Sequence, residues 1–121
     1  MIKLVITLAS LMFIGDWPQF RGPNSDGHVT GPETPLQWSD SENVAWKVPV
    51  AGLGWSSPSV VGGRVFLTTA VQEGDQLSLR ALALDAKTGQ TIWDREVRRI
   101  ESVPSIHTKN SHASPTPIIH D

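Results

Sequence analysis

The run Ala83-Leu84-Asp85-Ala86-Lys87-Thr88-Gly89-Gln90-Thr91-Ile92-Trp93 constrains this chain more than any other stretch. It reads as the tip of a β-hairpin followed by a strand that carries an indole. Asp85 is placed to accept N–H bonds from the residues just ahead of it. Gly89 supplies the positive φ that a hairpin loop of about five residues needs. Leu82 and Leu84 lead into the turn, and Ile92 and Trp93 lead out of it. An isolated hairpin is marginal in water, so more sheet must pack against this one.

Strand patterns surround it. Val44 to Val50 alternates, with Val44, Trp46, Val48 and Val50 on one face. Pro49 has no N–H for a ladder, so this strand is an edge or ends there. Ser57 to Val61 is a short strand, and Gly62-Gly63 is a two-residue hairpin turn. Arg64 to Ala70 follows, with Val65, Phe66 and Leu67 contiguous, as a strand sandwiched between layers requires. A polar turn from Gln72 to Gln76 leads to a third strand, Leu77 to Asp85. The fourth, Gln90 to Val97, carries Asp94, Arg95 and Glu96, charges that suit an outer edge guarded against aggregation. The expected fold class is all-β, with four antiparallel strands over residues 57–97.

Two segments recur. Trp46-Lys47-Val48-Pro49-Val50 matches Trp93-Asp94-Arg95-Glu96-Val97 at an offset of 47, and Ser57-Pro58-Ser59-Val60-Val61 matches Ser114-Pro115-Thr116-Pro117-Ile118-Ile119 at an offset of 57. The difference is an insertion within Arg98 to Asn110. The order is thus strand four, strands one to four, then strand one again. Four-stranded units repeating every 40 to 50 residues or so are β-propeller blades. About one blade and the first strand of the next are expected, as a truncated part of a longer ring. Such a unit would leave two apolar flanks uncovered and fold poorly alone.

Charge and composition exclude several classes. The net charge is −2, with ten Lys and Arg against twelve Asp and Glu, so nothing points to nucleic acid. Arg95, Arg98 and Arg99 read as a solvated strand edge. No cysteine is present, which excludes disulfides, thiolate zinc sites and cysteine nucleophiles. At the N-terminus, Lys3 precedes an apolar run from Leu4 to Ile14, long enough for a signal-peptide core and too short to span a bilayer. Residues 1–15 are therefore expected to be a leader, residues 16–43 a Trp/Pro-rich loop segment, and residues 44–121 the repeat region. Pro18, Gly22, Pro23 and Gly27 forbid a regular helix in the loop segment. Asn24-Ser25-Asp26-Gly27 reads as a turn, since the later ligands of a calcium loop are missing.

Leu84-Asp85-Ala86-x-Thr88-Gly89-x-x-x-Trp93 resembles the signature of the PQQ-type repeat, one blade of a β-propeller. Trp17-Pro18-Gln19-Phe20-Arg21-Gly22-Pro23-Asn24 is similar to the opening of exported propeller proteins of that kind from planctomycete-like bacteria. Trp93-Asp94 also forms a WD dipeptide, but the Asp-x-x-Thr-Gly turn fits the PQQ-type blade better. The resemblance marks Trp46, Asp85, Thr88, Gly89 and Trp93 as the structural signature. It implies an exported, periplasmic or envelope protein with no transmembrane anchor, binding a protein or polysaccharide at the propeller rim as a non-catalytic scaffold. It also implies an alternative, a quinoprotein alcohol or sugar dehydrogenase using PQQ and calcium; no quinone or calcium ligand of that group can be matched to a residue here. A carbohydrate-binding β-sandwich is a third class, disfavoured by the repeated Trp and Ser-Pro registers.

No catalytic, cofactor or metal residue emerges. Ser57 and Ser114 lack a nucleophile elbow and read as strand-start caps. His107, His112 and His120 are spaced unlike a helical metal pair. The candidates for rim binding are Trp55, in a Gly/Ser loop, and His107, Lys109, Asn110 and His112, around the insertion between blades.

Overall fold

The computed structural model describes residues 15–31 and 34–120, so the expected leader lies, except for Gly15, outside the described residues. The regular structure is one open antiparallel sheet of β1 (Ser59–Val61), β2 (Arg64–Glu73), β3 (Gln76–Asp85) and β4 (Thr91–Ile100), in spatial order β1-β2-β3-β4. Among the described residues there is no helix, and so none long and apolar enough to cross a membrane. Gly62 and Gly63 take φ of 57° and 72°, the two positive values a tight hairpin turn needs to match strand twist.

Three segments differ from expectation. β2 runs on to Glu73 and β4 to Ile100, through charged residues that resemble loop. Those charges have partners across the sheet: Arg99 meets Glu73 at 2.8 Å and Glu96 at 2.7 Å. Arg99 is thus ion-paired rather than a simply solvated edge, while Arg95 lies over the Trp93 ring at 5.7 Å. Val44 to Val50 is no strand; it makes no ladder and leaves Val44 and Val50 exposed while Trp46 and Val48 are half-buried.

The edge beside β2 is built from broken pieces. Leu53 exchanges both backbone bonds with Ala70 at 2.9 Å, ahead of β1 in the chain. Ser56 Oγ then accepts from the Thr68 N–H at 3.2 Å, standing in for a backbone carbonyl. Pairing resumes at Ser59 with Phe66. Pro58, without a donor, explains the gap. Outside β1, Trp17 exchanges bonds of 2.6 and 2.8 Å with Val60, and Asp16 Oδ1 accepts from Gly62 N at 3.0 Å. Residues 16–18 thereby form a strap along that edge.

Register divides the sheet into two faces. One carries Val65, Leu67 and Thr69 with Ser78, Arg80, Leu82 and Leu84, and with Asp94, Glu96 and Arg99 from β4. The other carries Phe66, Thr68 and Ala70 with Leu77, Leu79, Ala81 and Ala83, and with Trp93, Arg95, Arg98 and Ile100. Two bulges in β4 skip Ile92 and Val97, so that Glu96 and Arg99 fall on the same face and can pair. Ser78 is fully buried between them, donating to Glu96 Oε2 at 2.6 Å.

Coil from either end of the sheet covers both faces, where open flanks were expected. On the first, Thr69 Oγ1 donates to Ala51 O at 2.6 Å, and Gly52 lies so close that a Cβ there would meet Ala70 O at 2.4 Å. On the second, Ala113 joins Ala70 and Leu77 in a buried cluster flanked by Leu79, Ile100 and Val103, and Thr68 Oγ1 donates to Pro115 O at 3.2 Å. Leu77→Ala is expected to destabilise the chain by about 2–4 kcal/mol, read as a lower midpoint in urea titration. An unchanged midpoint would mean that the C-terminal coil does not close this core.

Candidate functional site

The site is organised by the β3–β4 turn. Asp85 closes it: Oδ1 accepts the Lys87 N–H at 2.9 Å, the Thr88 N–H at 2.9 Å and the Thr88 hydroxyl at 3.0 Å. Those donors, the Thr88 N–H foremost, hold the exposed carboxyl below its ordinary pKa. Gly89 N donates to Asp85 O at 2.8 Å, and Gly89 takes φ 72°. Ala86 N donates to Gly63 O at 3.0 Å, joining this turn to the β1–β2 turn.

Trp46 lies on the turn it precedes by some forty residues. Its indole Nε1 donates to Ala86 O at 2.9 Å. Its ring covers Gly89, where a Cβ would stand 2.6 Å from the indole and 3.1 Å from Val48 Cγ1. Gly89 is thus required twice, for its φ and for the ring above it. Four of the five signature residues, Trp46, Asp85, Thr88 and Gly89, meet here. Trp93 does not. It stands on β4, half-buried, with its ring tilted 50° to Phe66 at 6.1 Å and the Arg95 guanidinium above it. Among the described residues its indole N–H has no hydrogen bond.

The rim candidates fall into two groups. His107, Lys109 and Asn110 form one exposed turn: His107 Nδ1 accepts the Lys109 N–H at 3.1 Å, and Asn110 N donates to His107 O at 2.9 Å. Asn110 Oδ1 accepts Ser111 N at 2.9 Å and Ser114 Oγ at 2.5 Å, so the side chain organises its own loop. His112 borders a cleft of about 200 Å³ with Leu79, Arg80, Val97 and Pro115. Trp55 N donates to Ala113 O at 3.0 Å, bringing the Trp55 backbone beside the His112–Ala113 segment while its indole stays 63% exposed. Ser114 is a turn cap, as expected. The side chain that caps the β2 edge is Ser56, and the buried hydroxyl is Ser59, which donates to Pro117 O at 2.5 Å.

Sequence reasoning missed the ladder Glu73–Arg99–Glu96–Ser78 and the Arg80–Asp94 pair at 2.8 Å. The signal was present as alternate polar residues in β3 and β4, but it needs the bulged register to be read. No group of three or more His, Asp or Glu among the described residues is placed to hold a metal ion. The sequence matches no protein-family model and no curated protein.

Two outcomes are expected at the turn. Gly89→Ala should cost about 1–3 kcal/mol, and Trp46→Phe should cost less than Trp46→Ala, as measured by chemical denaturation; equal losses would show that the Nε1 bond to Ala86 adds nothing. Asp85 has a lowered folded pKa, so its contribution is present above the unfolded carboxylate value of about 4 and is lost as pH falls through the folded value. Asp85→Asn should therefore melt below wild type at neutral pH, with the gap closing in acid; a gap independent of pH would refute the capping role.

Proposed function

We propose that this chain is a PQQ-type repeat blade with the first strand of a neighbouring blade, serving as an exported, non-catalytic binding or scaffold module. One observation carries the reading: the Trp46 indole seated on the Asp85–Gly89 turn. Trp46 and Trp93 hold the same place in the internal repeat. A tryptophan that bears on the turn of the sheet following it is a rule that can be applied again, with Trp93 bearing on the turn of the next sheet. Repeated, it leans each sheet on its neighbour, as a ring of blades requires.

The Ser-Pro segments support the same reading. Ser57 N donates to Thr116 Oγ1 at 3.0 Å, and Ser59 Oγ donates to Pro117 O. Two copies of one sequence pattern thus lie side by side, as the first strands of adjoining blades would.

Binding is assigned to the rim that carries Trp55, the His107–Asn110 turn and His112. An exposed indole on a backbone fixed on both sides offers a flat apolar platform, and the imidazoles, Lys109 and Asn110 offer polar contacts. A protein or polysaccharide surface fits this mixture. The described residues do not supply a calcium site, so no catalytic step is assigned to them. The test is a glycan and peptide array probed with labelled protein. Trp55→Ala is expected to weaken the strongest signal about tenfold without lowering the melting temperature. Saturable binding of PQQ with calcium, accompanied by dye reduction, would replace this reading with a quinoprotein dehydrogenase.

A further inference from the structure

The second Ser-Pro copy presents an open strand edge. Pro115 and Pro117 hold Ser114 and Thr116 extended, because a residue before proline is driven out of the helical region. Backbone groups of an extended strand alternate between its two sides. One side of this segment is taken: Pro117 O accepts the Ser59 hydroxyl, and Ile119 N donates to Pro18 O at 2.9 Å. The opposite side carries the N–H and C=O groups of Thr116 and Ile118. Among the described residues those groups have no hydrogen bond, and Ile118 is 71% exposed.

The first copy shows what belongs there. Val60, the counterpart of Pro117, turns its N–H and C=O to Trp17 of the strap. Ser59 and Val61, the counterparts of Thr116 and Ile118, turn theirs to β2, opposite Phe66 and Arg64. The parity is the same in both copies: the strap, residues 16–18, lies along one side of each, and only the first copy has a strand on the other.

We propose that Thr116–Ile118 is a β-augmentation site for an antiparallel strand of β2 type, with an aromatic residue opposite Thr116 and a cationic residue opposite Ile118, supplied in trans by an extended peptide. Main-chain bonds at Thr116 and Ile118 give the affinity, and the exposed Ile118 side chain gives the peptide an apolar contact. This inference rests on the repeat reading, since the equivalence of the two copies sets the register.

The probe is a synthetic peptide of the sequence of residues 63–70, Gly-Arg-Val-Phe-Leu-Thr-Thr-Ala, added to the full chain. Saturable binding by fluorescence anisotropy is expected, with slowed amide exchange at Thr116 and Ile118. Ile118→Pro removes one donor at an exposed position and should weaken binding about tenfold; Ile118→Val should bind as wild type does. Absence of saturable binding, equal affinity for Ile118→Pro, or protection elsewhere in the chain would overturn the proposal. So would protection of Thr116 and Ile118 that rises with protein concentration in the absence of peptide, which would give the edge to a second copy. The Trp46 and Gly89 substitutions examine the repeat reading separately, on another face and by stability, so the two can fail independently.

Discussion

The contact between the Trp46 indole and the Gly89 backbone is the point on which the structure turns. A hairpin end is normally the loosest part of a sheet, open to water on every side. Here a large flat ring rests on it and donates a hydrogen bond to Ala86 O. The contact is possible only because Gly89 has no side chain, and Gly89 is tolerated only because Asp85 ties the loop around it. Each of the three residues would be unremarkable alone. Together they join a coil to a sheet across a wide gap in sequence, and the segment from Trp46 to Gly52 is thereby laid over one sheet face.

A four-stranded open sheet has two faces and two edges to manage. Its faces are covered by coil that enters from either side in the chain: Ala51 and Gly52 on one, Ala113 and Pro115 on the other. Its edges are managed differently. β4 carries charges and two bulges, which discourage a further strand. The β1 edge is instead occupied, by Leu53 along β2 and by Trp17 along β1. The sheet is therefore closed by its own flanking segments, with polar groups such as Ser56 and Thr69 stitching places where a regular ladder would be impossible.

The electrostatic features follow from register. Arg99 sits between Glu73 and Glu96, and both carboxylates raise its pKa, Glu73 foremost. Glu96 is held low chiefly by the Ser78 hydroxyl and then by Arg99. These groups are exposed enough for solvent screening to limit their energy. Their larger effect is on specificity, because the ladder forms only when the bulge at Val97 brings Glu96 and Arg99 to one face. A shift of one residue would separate every pair.

Residue order alone determined the four strands, their antiparallel turns and the role of Asp85, because those depend on alternation, on Gly-Gly and on an Asp-x-x-Thr-Gly turn, all of which act within a few residues. It also marked Trp46 and Gly89, though as members of two separate pattern copies and not as partners. Only the tertiary structure decided that they touch, that Val44 to Val50 crosses a face instead of extending the ladder, and that charged residues from Glu73 to Ile100 pair within the sheet. Each of these depends on which surface a segment meets after the chain has folded back. Local propensity holds no record of that, since an alternating run such as Val44 to Val50 satisfies a strand edge and a greasy sheet face equally well.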